Sequence, residues 1–180
     1  MHYLIGDKKS FAVELDISTN KWKNKTAIWL NHVRIGDWDD ENVLAPFVRS
    51  MYRIATEHDM FSLDEIERLD CKKTYSIIHP FYLNPDAFFD LTSSEQVSYF
   101  KYDKFLLDWG ENINSYGLTM VFSAGICKFI WDADSEKTRE ACNFDLIICH
   151  EVPVLEVMDV YSELKTILKQ NELSFSFLRC

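Results

Sequence analysis

Glycine and proline are scarce in this chain of 180 residues, five and four in all. No stretch rich in proline, glycine and serine reads as a linker, and no repeat or low-complexity tract appears. With a length near that of about one domain, the expectation is a single domain over residues 1–180. Long apolar runs are missing too. The uncharged run Ser115 to Cys127 is too short to span a bilayer, which takes about 20 residues. The start MHYLIGDKKSF lacks the basic end and apolar stretch of a secretion signal. Cysteines number five (Cys71, Cys127, Cys142, Cys149 and Cys180), and an odd count without regular spacing does not read as a disulfide framework. Cys127 and Cys149 sit in apolar segments, where a thiol behaves as a small hydrophobe. These features together point to the reducing cytoplasm.

Positive charge is also short. There are 19 Lys and Arg against 29 Asp and Glu, for a net charge of −10. That counts against nucleic acid as a direct partner, because phosphate binding needs a basic face. What is plentiful is core material: 47% apolar and 14% aromatic residues. This excludes a disordered chain. A chain of this size buries about 70% of its unfolded surface, so it needs no metal or disulfide to make a core.

The order of elements follows from periodicity. Tyr3 to Ile5, the turn Gly6-Asp7-Lys8-Lys9 and the alternation Phe11, Val13, Leu15, Ile17 predict a hairpin. Asn20 to Lys25 reads as a loop. Ala27 to Ile35 reads as one long strand, with Ile28, Leu30 and His32 on one face and Trp29 and Val33 on the other. Leu44, Phe47, Val48, Met51, Ile54 and Ala55 make the apolar stripe of a helix that Asp40 or Asn42 can cap. Ser62-Leu63-Asp64-Glu65 has the pattern of a capping box before a short helix, and Thr92 to Glu95 repeats it. Lys104 to Trp109, Leu118 to Ser123, Ile126 to Trp131 and Phe144 to His150 read as strands, the last central in its sheet. Gly125 marks a bulge or a turn. Pro153 suits a first helical position, followed by the stripe Val154, Val157, Met158, Tyr161, Leu164 and Leu168. Leu173, Phe175 and Phe177 suggest a final edge strand. The fold class is α+β: a mostly antiparallel sheet with two principal helices packed against it.

Catalytic motifs are absent. There is no GxSxG, P-loop, GxGxxG, HExxH or CxxC. Cys142, Cys149 and His150 would need a fourth ligand to hold zinc, and buried thiols are the plainer reading. His2, His32, His58, His79 and His150 are scattered, with no local sign of a nucleophile and base. One segment stands out: Asp37, Trp38, Asp39, Asp40 and Glu41, four acids around a tryptophan between a strand and a helix. It has three readings. Alternating carboxylates suggest calcium, but the central glycine of such a loop is missing. Acids before a helix can serve its N-terminus. An aromatic anchor ringed by carboxylates suits a basic protein partner. Further acids cluster between Glu57 and Asp70 and at Asp132, Asp134 and Glu136. Most such runs are solvated faces, yet together they can build one negative field.

The opening GDKKSFAVELDI (Gly6 to Ile17), then AIWLNHVRIGDWDDE (Ala27 to Glu41) and an amphipathic helix, resembles the Immunity protein 42 family. Members are small bacterial proteins of polymorphic-toxin and contact-dependent growth inhibition systems. The late FDLIICHEVP (Phe144 to Pro153) before a helix also fits. The resemblance is strongest in the first third of the chain and supplies no invariant site. It implies a non-enzymatic role: binding and neutralising the C-terminal toxin domain encoded alongside, with no cofactor, metal or membrane partner. Such toxins are often basic nucleases, and an acidic protein can cover their substrate-binding face. A small metal-dependent enzyme and an adaptor subunit are the competing readings. On the binding reading, Asp37, Trp38, Asp39, Asp40 and Glu41 are the contact residues.

Overall fold

A computed structural model describes residues 1–18, 24–39, 41, 43–79, 100–132 and 147–173. The N-terminal alternation becomes an antiparallel hairpin of β1 (His2–Gly6) and β2 (Phe11–Ile17), with Ile5 opposite Val13 and Tyr3 opposite Leu15. β3 (Asn24–Leu30) pairs with β2 along its length, and β4 (Val33–Ile35) completes a sheet in the order β1-β2-β3-β4. Ala27 to Ile35 is therefore not one strand. Asn31 and His32 both take positive φ, 47° and 65°. That is the two-residue hairpin turn whose twist matches its strands, and asparagine enters this region more readily than most residues. β3 also starts at Asn24, inside the expected loop; residues 20–23 lie outside the described residues.

The first principal helix, α1 (Leu44–Glu57), buries every residue of its expected stripe. Pro46 sits in its first turn, where a missing N–H has no helical partner to lose. The cap differs from expectation. Val43 holds the cap position without a side-chain hydrogen bond, and no acid lies in the first turn. Asp40 and Asn42 are outside the described residues. A 3-10 turn (His58–Phe61) leads to α2 (Asp64–Glu67) and α3 (Cys71–Ile78). Ser62 donates to the Glu67 carboxylate at 2.6 Å rather than sharing a box with Glu65. α3 has no counterpart in the sequence reading, although Asp70 caps it by accepting from the Lys73 N–H at 2.9 Å. The second capping-box candidate, at Thr92 to Glu95, is outside the described residues.

The second sheet is antiparallel, in the order β5-β6-β7, from β5 (Thr119–Ser123), β6 (Ile126–Asp132) and β7 (Ile147–Pro153). Ala124 and Gly125 have φ of 49° and 82°, so Gly125 marks a turn and not a bulge. Lys104 to Trp109 is not a strand. Phe100–Phe105 forms a 3-10 helix, and Leu106 makes a single bridge to Thr119. The short α4 (Glu111–Asn114) follows. Among the described residues β6 is the central strand and β7 flanks it, the reverse of the expectation for His150 and its neighbours. The run Phe144 to Leu146 and the expected last strand beyond Leu173 lie outside the described residues.

α5 (Val154–Gln170) buries Val157, Val160, Tyr161, Leu164, Ile167 and Leu168. Met158 is 38% exposed, so the buried stripe runs through Val160 and Ile167 instead. Pro153 ends β7 and takes the cap position. α1 and α5 pack on one another, with Tyr52 and Tyr161 edge to face at 6.3 Å. α5 also covers the inner face of β1 and β2. Phe11 of the first sheet stacks on Phe129 of the second, centroids 5.3 Å apart, and joins the two sheets into one core. The α+β reading holds, with two sheets in place of one.

One cysteine expectation is overturned. Cys71 and Cys149, 78 residues apart, form a disulfide that ties α3 to β7. Cys149 is thus no free apolar thiol. Nothing in local spacing announces the pairing, because the fold alone brings the two segments of chain together. Cys127 is a buried free thiol.

Candidate functional site

The acidic segment is held by backbone geometry. Gly36 turns the chain out of β4 at φ +119°, and a Cβ there would lie 3.0 Å from Ile113 Cγ1 and 3.1 Å from the Thr26 carbonyl oxygen. Only glycine lets the loop run this close to β3. Asn112, buried on α4, holds it there. Its Nδ2 donates to the carbonyls of Thr26 at 2.7 Å and Asp37 at 3.3 Å. Asp37 N–H in turn donates to the Asn112 carbonyl at 3.3 Å. The Asp37 carboxylate accepts from the Asp39 N–H at 2.9 Å, an Asx turn that fixes Trp38 between them. Asp37, Asp39 and Glu41 are exposed and Trp38 is half-buried.

Trp38 does not stand alone. It lies over the face of the first sheet that points away from the core. Residues two apart in a strand share a face, and the register sets His2 beside Asp16, Leu4 beside Glu14 and Ala27, and Ala12 beside Trp29 and then Arg34. The His2 ring meets Trp38 edge-on at 5.6 Å, and the Arg34 guanidinium lies 5.9 Å from its centroid. Lys8 Nζ sits 3.7 Å over the Trp29 ring. Cations are drawn to such ring faces.

Glu14 is the centre of this face. One carboxylate oxygen accepts from Trp29 Nε1 at 2.8 Å and the other contacts His2 Nε2 at 2.9 Å. It is only 8% exposed, unusual for a glutamate on the solvent side of a sheet. Burial pushes its carboxyl up. The hydrogen bonds from Trp29 and His2, with Lys8 nearby, outweigh burial and hold it below the ordinary value of 4.5. It is therefore a charged, fully bonded anchor at neutral pH. Ala12 and Ala27 on the same face are out of solvent.

A cavity of about 280 Å³ is lined, among the described residues, by Ile78, His79, Leu106, Leu107, Asn114, Gly117 and Leu118. Burial pushes His79 down to about 4, so it is neutral at physiological pH. Burial pushes the Cys127 thiol up to about 12, where no thiolate forms to act as nucleophile. Cys149 is bonded to Cys71 and is not available to zinc, and Cys142 lies outside the described residues. Among the described residues no three His, Cys, Asp or Glu side chains converge as a metal site would require. No helix among them is long and apolar enough to cross a membrane.

Of the sequence-predicted contact residues, the structure brings Asp37, Trp38 and Asp39 together at one loop, with Glu41 just beyond; Asp40 is outside the described residues. Sequence reading missed Glu14, Trp29, Arg34 and Asn112. The first three share a face only once strand register is known. Asn112 reads as part of a strand break, and nothing local says that its amide reaches β3.

The family model for Immunity protein 42 matches residues 1–171. Among solved structures, the crystal structure of CdiI from Burkholderia dolosa AUO158 is similar, with a TM-score of 0.61 at 11% identity, over 91% of this chain and 99% of that one. At that identity the likeness is one of fold. No curated protein matches the chain.

Proposed function

The chain belongs to the Immunity protein 42 family, and from that premise we propose that it binds and neutralises a bacterial toxin domain. Family membership across residues 1–171 carries the reading, and the fold shared with CdiI supports it. The partner is the C-terminal domain of a toxin encoded beside this chain, and its class is a basic nuclease. The net charge of −10 favours such a target, because an acidic surface speeds encounter with a basic one and competes with its nucleic acid. The protein acts by occlusion, not catalysis: a standard interface of about 1,600 Å² is enough to cover an active or substrate-binding face. Asp37, Trp38, Asp39, Asp40 and Glu41 belong to the contact. The site of action is the cytoplasm, a reading that the Cys71–Cys149 disulfide argues against, since such bridges rarely persist there; no membrane or nucleic acid is bound directly.

The test is reconstitution. The chain and the neighbouring toxin domain are co-expressed and purified. A stable complex, rescued growth and stoichiometric suppression of nuclease activity are the expected results. A toxin domain that stays separate and fully active in excess of the chain overturns the proposal.

A further inference from the structure

We infer that the partner docks on the outer face of the first sheet, with Trp29 and Trp38 as its anchors and Glu14 as the residue that positions them. This rests on the toxin-binding reading above and extends it from an acidic loop to a built platform. The occupant is a basic segment of the toxin domain.

The first ground is what covers each sheet. The inner face of the first sheet is packed under α5 and against Phe129. Its outer face is overlaid by no other helix or strand among the described residues. That face carries two half-buried indoles, Trp29 and Trp38, beside the exposed Leu4 and Arg34. The second ground is order. Glu14 bonds both Trp29 and His2, and His2 packs on Trp38. Trp29, Trp38 and His2 are thus tied through one carboxylate before any partner arrives. Rigid aromatic groups lose little entropy on binding, and tryptophan and arginine are the types that dominate binding hot spots.

The third ground is charge. Lys8 and Arg34 already sit on the two rings, which shows what these indoles attract. Asp37, Asp39 and Glu41 lie exposed along the loop at the platform's rim. A partner presenting lysine or arginine meets carboxylates at the rim and aromatic surface at the centre. A hydrophobic or acidic partner would meet the same rim unfavourably.

The test measures binding of the purified toxin C-terminal domain encoded beside this chain. Trp29→Ala and Trp38→Ala should each weaken affinity about 30-fold or more, mostly through faster dissociation. Leu4→Arg places a positive charge at an exposed position of the same face, so it tests the site even if a tryptophan variant folds poorly; it should weaken binding to a basic partner. Glu14→Ala should weaken binding and shift the Trp29 indole N–H resonance. Glu14→Gln, which still accepts that hydrogen bond, should restore both. Leu155→Ser and Met158→Ser on the exposed side of α5 should leave affinity within about twofold, as distant surface changes do. Folded Trp29, Trp38 and Leu4 variants that bind like the unaltered chain overturn the docking site while leaving the toxin-binding reading intact. An unaltered chain that does not bind the toxin domain overturns that reading, and the docking site with it.

Discussion

The two sheets are built alike and finished differently. The second has other elements packed against both faces, although Ile148 and Glu151 of β7 stay exposed. Phe129 reaches Phe11 across one face, while on the other α3 is bonded through Cys71 to Cys149 and α2 lies against β5. Among the described residues the first has a helix on one side only. On its outer face Glu14 bonds Trp29 and His2, and Trp38 packs against His2 and Arg34. The second sheet is tied to a helix by a disulfide, and the first presents a cluster of side chains in a fixed arrangement. Substitutions in the two sheets should therefore separate folding from binding.

The sharpest way to break this contrast is the disulfide. Cys149→Ser should cost about 2–5 kcal/mol in urea unfolding, the usual loss for a native bridge closing a long loop. Toxin affinity of the folded fraction should not change. An equal loss of affinity would mean that the two sheets are not independent. Gly36→Ala comes next. Its positive φ and the nearby Ile113 and Thr26 atoms make about 1–3 kcal/mol of strain the expected cost. Here affinity should fall as well, because the loop that carries Trp38 is displaced.

Acid should weaken the first sheet through Glu14. The folded-state pKa of Glu14 is depressed by Trp29, His2 and Lys8 against the opposing effect of burial. Its contribution to stability is thus complete above the ordinary value of 4.5 and is lost as pH falls below it. Glu14→Gln should remove that part of the acid sensitivity, read as the difference between urea midpoints at neutral and acid pH. An acid loss of the same size in the Glu14→Gln variant would place the sensitive group elsewhere. The smallest effect on stability is expected from Asp39→Lys, within about 0.5 kcal/mol for an exposed position. Toxin association should nevertheless slow at low salt, and the difference should shrink as salt is raised. Unchanged association at low salt would move the steering charge away from this loop.

Periodicity made several elements legible. β2 and α1 came out as read because their apolar residues repeat at the spacing of a strand and a helix, and Ile126 to Trp131 became β6. The misreadings share a cause. Ala27 to Ile35 hides a hairpin because Asn31 and His32 differ from strand residues only in backbone φ. Lys104 to Trp109 looks like a strand because it is apolar, yet it closes a 3-10 helix and adds one bridge. Met158 gave way to Val160 and Ile167 because the packing of α1 and α5 sets which side of the helix is covered.

The candidate site was half legible. Composition near Trp38 drew attention to Asp37, Asp39 and Glu41, since clustered charge around an aromatic is a local property. Glu14, Trp29 and Arg34 were invisible as a group, because their proximity depends on strand register, and Asn112 because its partners are far along the chain. By itself the sequence determined the fold class, the main helix, the acidic balance and the family resemblance, all written in short-range pattern. Only the tertiary structure decided that Cys71 meets Cys149, that the sheet is two sheets, and that one carboxylate bonds both Trp29 and the His2 that packs on Trp38. Those contacts join residues far apart in the chain, and no local periodicity encodes which distant segment will close against which.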